Sequence, residues 1–141
     1  MYYISAIMAI LGAVGYQYFV KRVPESINPV VSVLGIYVSV LVLGIVLLFF
    51  IPPEGGLIKQ IKQLSWIQLA IAVSVLFLEL GFLLMYRAGW NLNTGNLVTG
   101  VFVNIILVVI GLVLLGEKMS LINSIGVILS IVGVALISYT P

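Results

Sequence analysis

The acidic groups of this 141-residue chain are four glutamates: Glu25, Glu54, Glu79 and Glu117. Only Glu79 sits inside a long apolar run. The chain has no Asp, no His and no Cys. Disulfides, thiolate metal sites and Cys nucleophiles are therefore excluded, and so is the commonest general base and zinc ligand. No catalytic constellation and no metal or organic-cofactor motif can be assembled, so the sequence predicts neither an enzyme nor a cofactor protein.

What remains is the chemistry of one intramembrane carboxyl. A charged side chain at mid-bilayer costs roughly 2.5–3.5 kcal/mol on insertion scales, so such a residue normally faces a bundle interior or a wet cavity. Burial disfavours the charged form. A carboxyl that takes up and gives off a proton can exchange it for a cation, which is the minimum chemistry of coupled antiport. The other role open to Glu79 is inter-helical glue: a protonated carboxyl bonded to Asn104 or to a backbone carbonyl.

The membrane is inferred from composition. Hydrophobic residues make up 63% of the chain and charged residues 7%. Soluble domains run near 45–50% and about 25%. Six Lys and Arg with four Glu cannot cover a soluble globule of this size. The net charge of +2 is too small and scattered for a nucleic-acid surface.

A helix needs about 20 mostly apolar residues to cross the hydrocarbon core. Charges and breakers divide the chain, read as one domain over residues 1–141, into five such spans: about 2–20, 29–51, 66–86, 93–115 and 120–139. The expected fold is an all-α bundle of five transmembrane helices. Lys21-Arg22 follows the first apolar run instead of preceding it, so that run reads as a retained helix and not as a signal peptide. Ser65 and Gln68 have capping-box spacing. Ser120 is a candidate cap and Gly89 a candidate terminator. Tyr2, Tyr3, Trp66, Tyr86, Trp90 and Tyr139 fall at span boundaries, where aromatic anchors collect. Between the second and third spans, Leu57, Ile58, Ile61 and Leu64 share one helical face opposite Lys59, Gln60, Lys62 and Gln63. That pattern predicts a short amphipathic helix on the membrane surface.

The third span is centred near residue 76, which puts Glu79 about 4.5 Å from the midplane at 1.5 Å per residue. The fourth span returns from Trp90 and brings Asn104 to a similar depth. Asn93, Asn96, Gly100, Asn104 and Gly111 form a polar and small stripe along it. Facing Glu79, that stripe would line a polar passage. Tyr37 lies deeper than the boundary aromatics and Phe82 is one turn from Glu79, so both are candidates for its wall. The candidate substrate and proton residues are thus Glu79, Asn104, Tyr37, Phe82 and Asn96. The passage would take protons and a small solute; a carboxylate favours cations or amines, whereas a protonated glutamate would accept neutral metabolites.

Lys and Arg are balanced across the membrane. Lys59, Lys62 and Lys118 fall on one side of the five-span arrangement, and Lys21, Arg22 and Arg87 on the other. Orientation is normally set by an excess on the cytoplasmic side. Two readings follow: dual topology with an antiparallel homodimer, or a single orientation with an external N-terminus set by Lys21-Arg22. Transporters are often built from inverted repeats, and a second copy would supply the missing half. In an antiparallel pair the two Glu79 residues would differ in depth by only about 9 Å.

Several segments carry a family likeness. They are Leu83-Leu84-Met85-Tyr86-Arg87-Ala88-Gly89, the junction Leu115-Gly116-Glu117-Lys118-Met119-Ser120, and the glycine-spaced helix from Ile125 to Ile137. Together they resemble the C-terminal part of an EamA-type domain of the drug/metabolite transporter superfamily. The resemblance implies one five-helix half of a ten-helix inverted-repeat transporter of small organic solutes, located as a multi-pass protein in the cell (inner) membrane. It also implies a dimer, or a partner half on another chain. The last helix is similar to the dimer-forming helix of the small multidrug resistance family through Gly126, Leu129, Gly133 and Val134. Gly126, Ser130 and Gly133 share one face, where small residues let backbones approach in lipid; packing inside one subunit is the other use of that face. The alternative function is a non-transporting or half-transporter subunit of a heteromeric complex or lipid flippase. Reporter fusions at both termini in the native membrane separate the topologies: the antiparallel homodimer predicts both orientations in comparable amounts, and one fixed orientation would contradict it.

Overall fold

Asn28-Pro29 shows how the sequence starts a helix in this chain. Asn28 Oδ1 accepts from Val30 N at 2.9 Å and Val31 N at 3.4 Å. Pro29 takes the first helical position, where its missing N–H costs nothing and its fixed φ fits. The computed structural model describes residues 2–138. Within them it contains α1 (Tyr2–Val20), α2 (Pro29–Phe50), α3 (Leu57–Ile61), α4 (Trp66–Arg87), α5 (Leu92–Val113) and α6 (Leu121–Ser138). There is no strand among the described residues.

The turns follow from local chemistry. Gly55 and Gly56 adopt φ of 76° and 91° after the Pro52-Pro53 stop, and Gln60 Nε2 donates to Glu54 O at 2.9 Å. This fold-back sets up the short amphipathic α3. Ser65 and Gln68 close the reciprocal box at the start of α4, and Ser120 Oγ accepts from Asn123 N at the start of α6.

Among the described residues, four helices are long and apolar enough to cross a membrane: Tyr3–Val20, Pro29–Phe50, Trp66–Arg87 and Leu92–Val113. The expected fifth span is described only in part. It corresponds to α6, whose apolar stretch is described over Leu121–Ile137, beginning just after the non-helical Gly116–Ser120 junction. Tyr139, expected at its end, lies outside the described residues.

The chain divides into two units at Ala88/Gly89. In the first, α4 packs against both α1 and α2. The buried positions of α4 are Glu79, Leu83 and Tyr86, one face at offsets of four and seven. Val20 of α1 and Val33 of α2 are buried with them. Most other large apolar side chains of this unit are exposed, as expected where the solvent is hydrocarbon. In the second unit, α5 packs against α6.

The α1–α2 connection is tied to the end of α4. Arg87 Nη2 donates to Pro24 O at 3.0 Å and to Ile27 O at 2.7 Å. The expected boundary residue therefore clamps a loop. Charged donors to carbonyls contribute about 1.5–3 kcal/mol each, less for a half-exposed group. Arg87→Ala should release residues 21–28 and speed tryptic cleavage after Lys21 and Arg22 several-fold in detergent. Cleavage at the wild-type rate would show that the clamp does not hold the loop.

Candidate functional site

Hydroxyls on the membrane helices mostly look after themselves. Ser39 donates to Gly35 O at 2.9 Å, Ser74 to Ala70 O at 2.9 Å, and Thr99 to Gly95 O at 2.8 Å. Each bond runs back four residues, which satisfies the hydroxyl without help from another helix. Against that background, one place in the first unit breaks the pattern. Glu79 Oε2, Tyr16 Oη and Tyr37 Oη are buried and have no hydrogen-bond partner of normal geometry among the described residues.

These atoms belong to one cluster built by three helices. Glu79 of α4 is 8% exposed. The Tyr16 hydroxyl of α1 faces its carboxyl, and Tyr37 of α2 lies within its electrostatic reach. Tyr37 stands eight residues after the start of α2 and Glu79 eight before the end of α4. The two helices approach the same loop clamp, so both residues lie about 12 Å along the helix from that end. Equal depth brings them together.

An aromatic and polar seam continues toward Lys21. Phe82 packs edge-on to Tyr16 at 6.0 Å and stacks on Tyr86 at 6.1 Å. The Tyr86 hydroxyl donates to Gln17 Oε1. Lys21 Nζ lies 5.8 Å from the centre of the Tyr86 ring. Tyr86 is thus not the membrane-boundary anchor expected from its position. It is 7% exposed, because the Glu79–Leu83–Tyr86 face turns it into the helix packing.

The other predicted residues lie on the second unit. Asn96 and Asn104 are exposed on α5. Asn104 lines a cleft of about 420 Å³ between α5 and α6, together with Gly126, Ser130 and Glu117. Ser130 donates to Gly126 O at 2.9 Å. Gly133 is half-buried. The structure therefore brings Glu79 together with Tyr37 and Phe82, and brings Asn104 together with Gly126 and Ser130.

Sequence reasoning missed Tyr16, Gln17 and the position of Glu117. Tyr16 and Gln17 sit one turn before Lys21-Arg22 and read as ordinary end-of-helix residues. The usable signal was spacing: Tyr16 and Val20, at an offset of four, form the face of α1 that meets α4. Glu117 reads as a junction cap. Gly116, at φ 65°, turns the chain so that Glu117 N donates to Gly111 O at 2.9 Å. A Cβ on Gly111 would lie 2.5 Å from Glu117 Oε2. The glycine at 111 leaves the space that the carboxyl occupies.

A comparison with protein families matches residues 1–139 to the EamA-like transporter family. No curated protein and no solved structure matches the chain.

The Gln17–Tyr86 bond is a direct polar link between α1 and α4 in this seam. Hydrogen bonds between membrane helices average about 0.6 kcal/mol and reach about 1.7 kcal/mol in double-mutant cycles. A cycle of Gln17→Leu and Tyr86→Phe, read from unfolding in mixed micelles, should return a coupling in that range. A coupling of zero would remove the bond from the packing of α1 on α4.

Proposed function

The chain belongs to the EamA-like transporter family, and from that premise we propose that it is a proton-coupled transporter of small organic solutes working through Glu79. Family membership and the four long apolar helices make it an integral, multi-pass membrane protein with a transporter-like domain. The observation that supports the finer reading is the Glu79 cluster: the Tyr16 hydroxyl faces the carboxyl, while Glu79 Oε2 and the two phenol oxygens are buried without a bond of normal geometry. A residue serving only as glue would have its hydrogen bonds completed, because an unmet buried polar group costs about 1–3 kcal/mol. Groups left unmet are suited to a visiting proton or substrate.

In this mechanism Glu79 holds the proton in one half of the cycle and the substrate's positive group in the other. Tyr16 and Tyr37 orient the carboxyl by offering hydroxyls that can donate or accept. Phe82 supplies an apolar wall beside Tyr16 and a ring face for a cation. Asn104 and Asn96 are the proposed polar substrate contacts on the second unit. The substrate class is therefore a cation or an amine. In this reading α6 is the fifth span, and the chain is one half of an inverted-repeat transporter. A second copy completes the passage as an antiparallel homodimer, and its Gly126–Ser130–Gly133 face takes part in the contact. The membrane is the cell's inner membrane.

Glu79→Gln keeps the size and hydrogen-bonding shape of the side chain and removes its titration. In proteoliposomes, uptake of radiolabelled small amines driven by an imposed pH gradient should fall at least about tenfold, the factor that 1.4 kcal/mol of lost coupling gives. Amine exchange without a gradient should fall as well, because the neutral Gln cannot hold the substrate's positive group. Gradient-driven uptake at the wild-type rate would exclude Glu79 from coupling.

A further inference from the structure

The second unit holds a groove whose junction end, at Glu117 and Lys118, the Glu79 mechanism does not use. Beside the 420 Å³ cleft between α5 and α6 lies a smaller cavity of about 210 Å³. Both are lined by Val108, Glu117 and Val127, so they form one continuous groove. The smaller part is lined by the apolar Leu112 and Met119 and by the polar Lys118 and Asn123. It lies where α5 has ended and α6 begins. Apolar walls thus run from mid-helix α5 to an end that carries one acid and one base next to each other.

We propose that this groove binds a phospholipid whose head carries a primary ammonium. The ammonium group lies on the Glu117 carboxylate, and the phosphate lies against Lys118 and the first turn of α6. The acyl chain follows Val108 and Val127 into the larger cleft. Three features fit this occupant. The Gly116 turn and the bare backbone at Gly111 fix the Glu117 carboxyl at the groove. A primary ammonium offers three N–H donors to a carboxylate, whereas a trimethylated one offers none. The N-terminal end of α6 carries a partial positive charge that favours the phosphate beside Lys118. Charge order along the chain, acid then base, matches the ammonium and phosphate of one zwitterionic head. A head that is only anionic would leave Glu117 facing like charge.

Native mass spectrometry of the full chain tests the proposal. The protein is taken from nanodiscs holding equal amounts of phosphatidylethanolamine, phosphatidylcholine and phosphatidylglycerol with matched acyl chains. The expected result is preferential retention of phosphatidylethanolamine by about fivefold, the most that an exposed ion pair supplies. Glu117→Gln should bring the ratio to phosphatidylcholine down to about one. A Cβ at Gly126 meets no atom within 4 Å, so Gly126→Leu projects into the cleft and should reduce retention of all three lipids. Glu79→Gln should leave the preference unchanged, which separates this proposal from the transport mechanism. Equal retention of the three lipids or an unchanged ratio in Glu117→Gln would each overturn it.

Discussion

Placing one carboxyl among apolar helices is the constraint around which the first unit is organised. At roughly 2.5–3.5 kcal/mol, that placement takes up a large share of the 5–15 kcal/mol that holds a typical domain folded. The sequence meets the cost by packing. The α4 face that carries Glu79 also carries Leu83 and Tyr86. It packs against α1 and α2, each bringing a tyrosine toward the carboxyl. The loop between α1 and α2 is fastened by Arg87. That clamp lies at the helix ends from which the depths of Tyr37 and Glu79 are set. Register, loop and site are one arrangement.

The second unit uses a different device. Gly116 reverses the chain, Gly111 makes room, and Glu117 folds its carboxyl into the gap. The Leu-Gly-Glu-Lys junction is therefore a structural sentence as much as a family likeness: each residue type has a geometric reason to stand where it does. The same turn places an acid and a base at the end of an apolar groove. Here packing and surface chemistry come from the same few residues.

Much of the fold was legible because the membrane simplifies the code. Apolar runs bounded by Lys21-Arg22 and by Pro52-Pro53 mark helix ends without ambiguity, and the cap at Ser65–Gln68 follows from residue type and spacing. Glu79 stood out for the same reason, as the one acid inside an apolar run. Less legible were the residues whose role depends on helix rotation. Tyr86 lies at a boundary by position yet turns inward with the Glu79 face. Tyr16 and Gln17 gain their meaning only once α1 is set against α4. Glu117 looked like a cap because its carboxyl's destination depends on the φ of Gly116 and the missing side chain at Gly111.

The central proposal is that protons and solute reach the buried Glu79 carboxyl from water, while Phe77 on the same helix faces lipid. The chain contains no cysteine, so a single introduced thiol reports its own surroundings without background. The comparison is between Glu79→Cys and Phe77→Cys, since Phe77 is 72% exposed on the outer surface of α4. Membranes holding either variant are treated with a charged methanethiosulfonate that dissolves in water and not in lipid. The account predicts modification at position 79 at least about tenfold faster than at 77, a difference of 1.4 kcal/mol or more in access to the reagent. Equal, slow modification at both positions would contradict it.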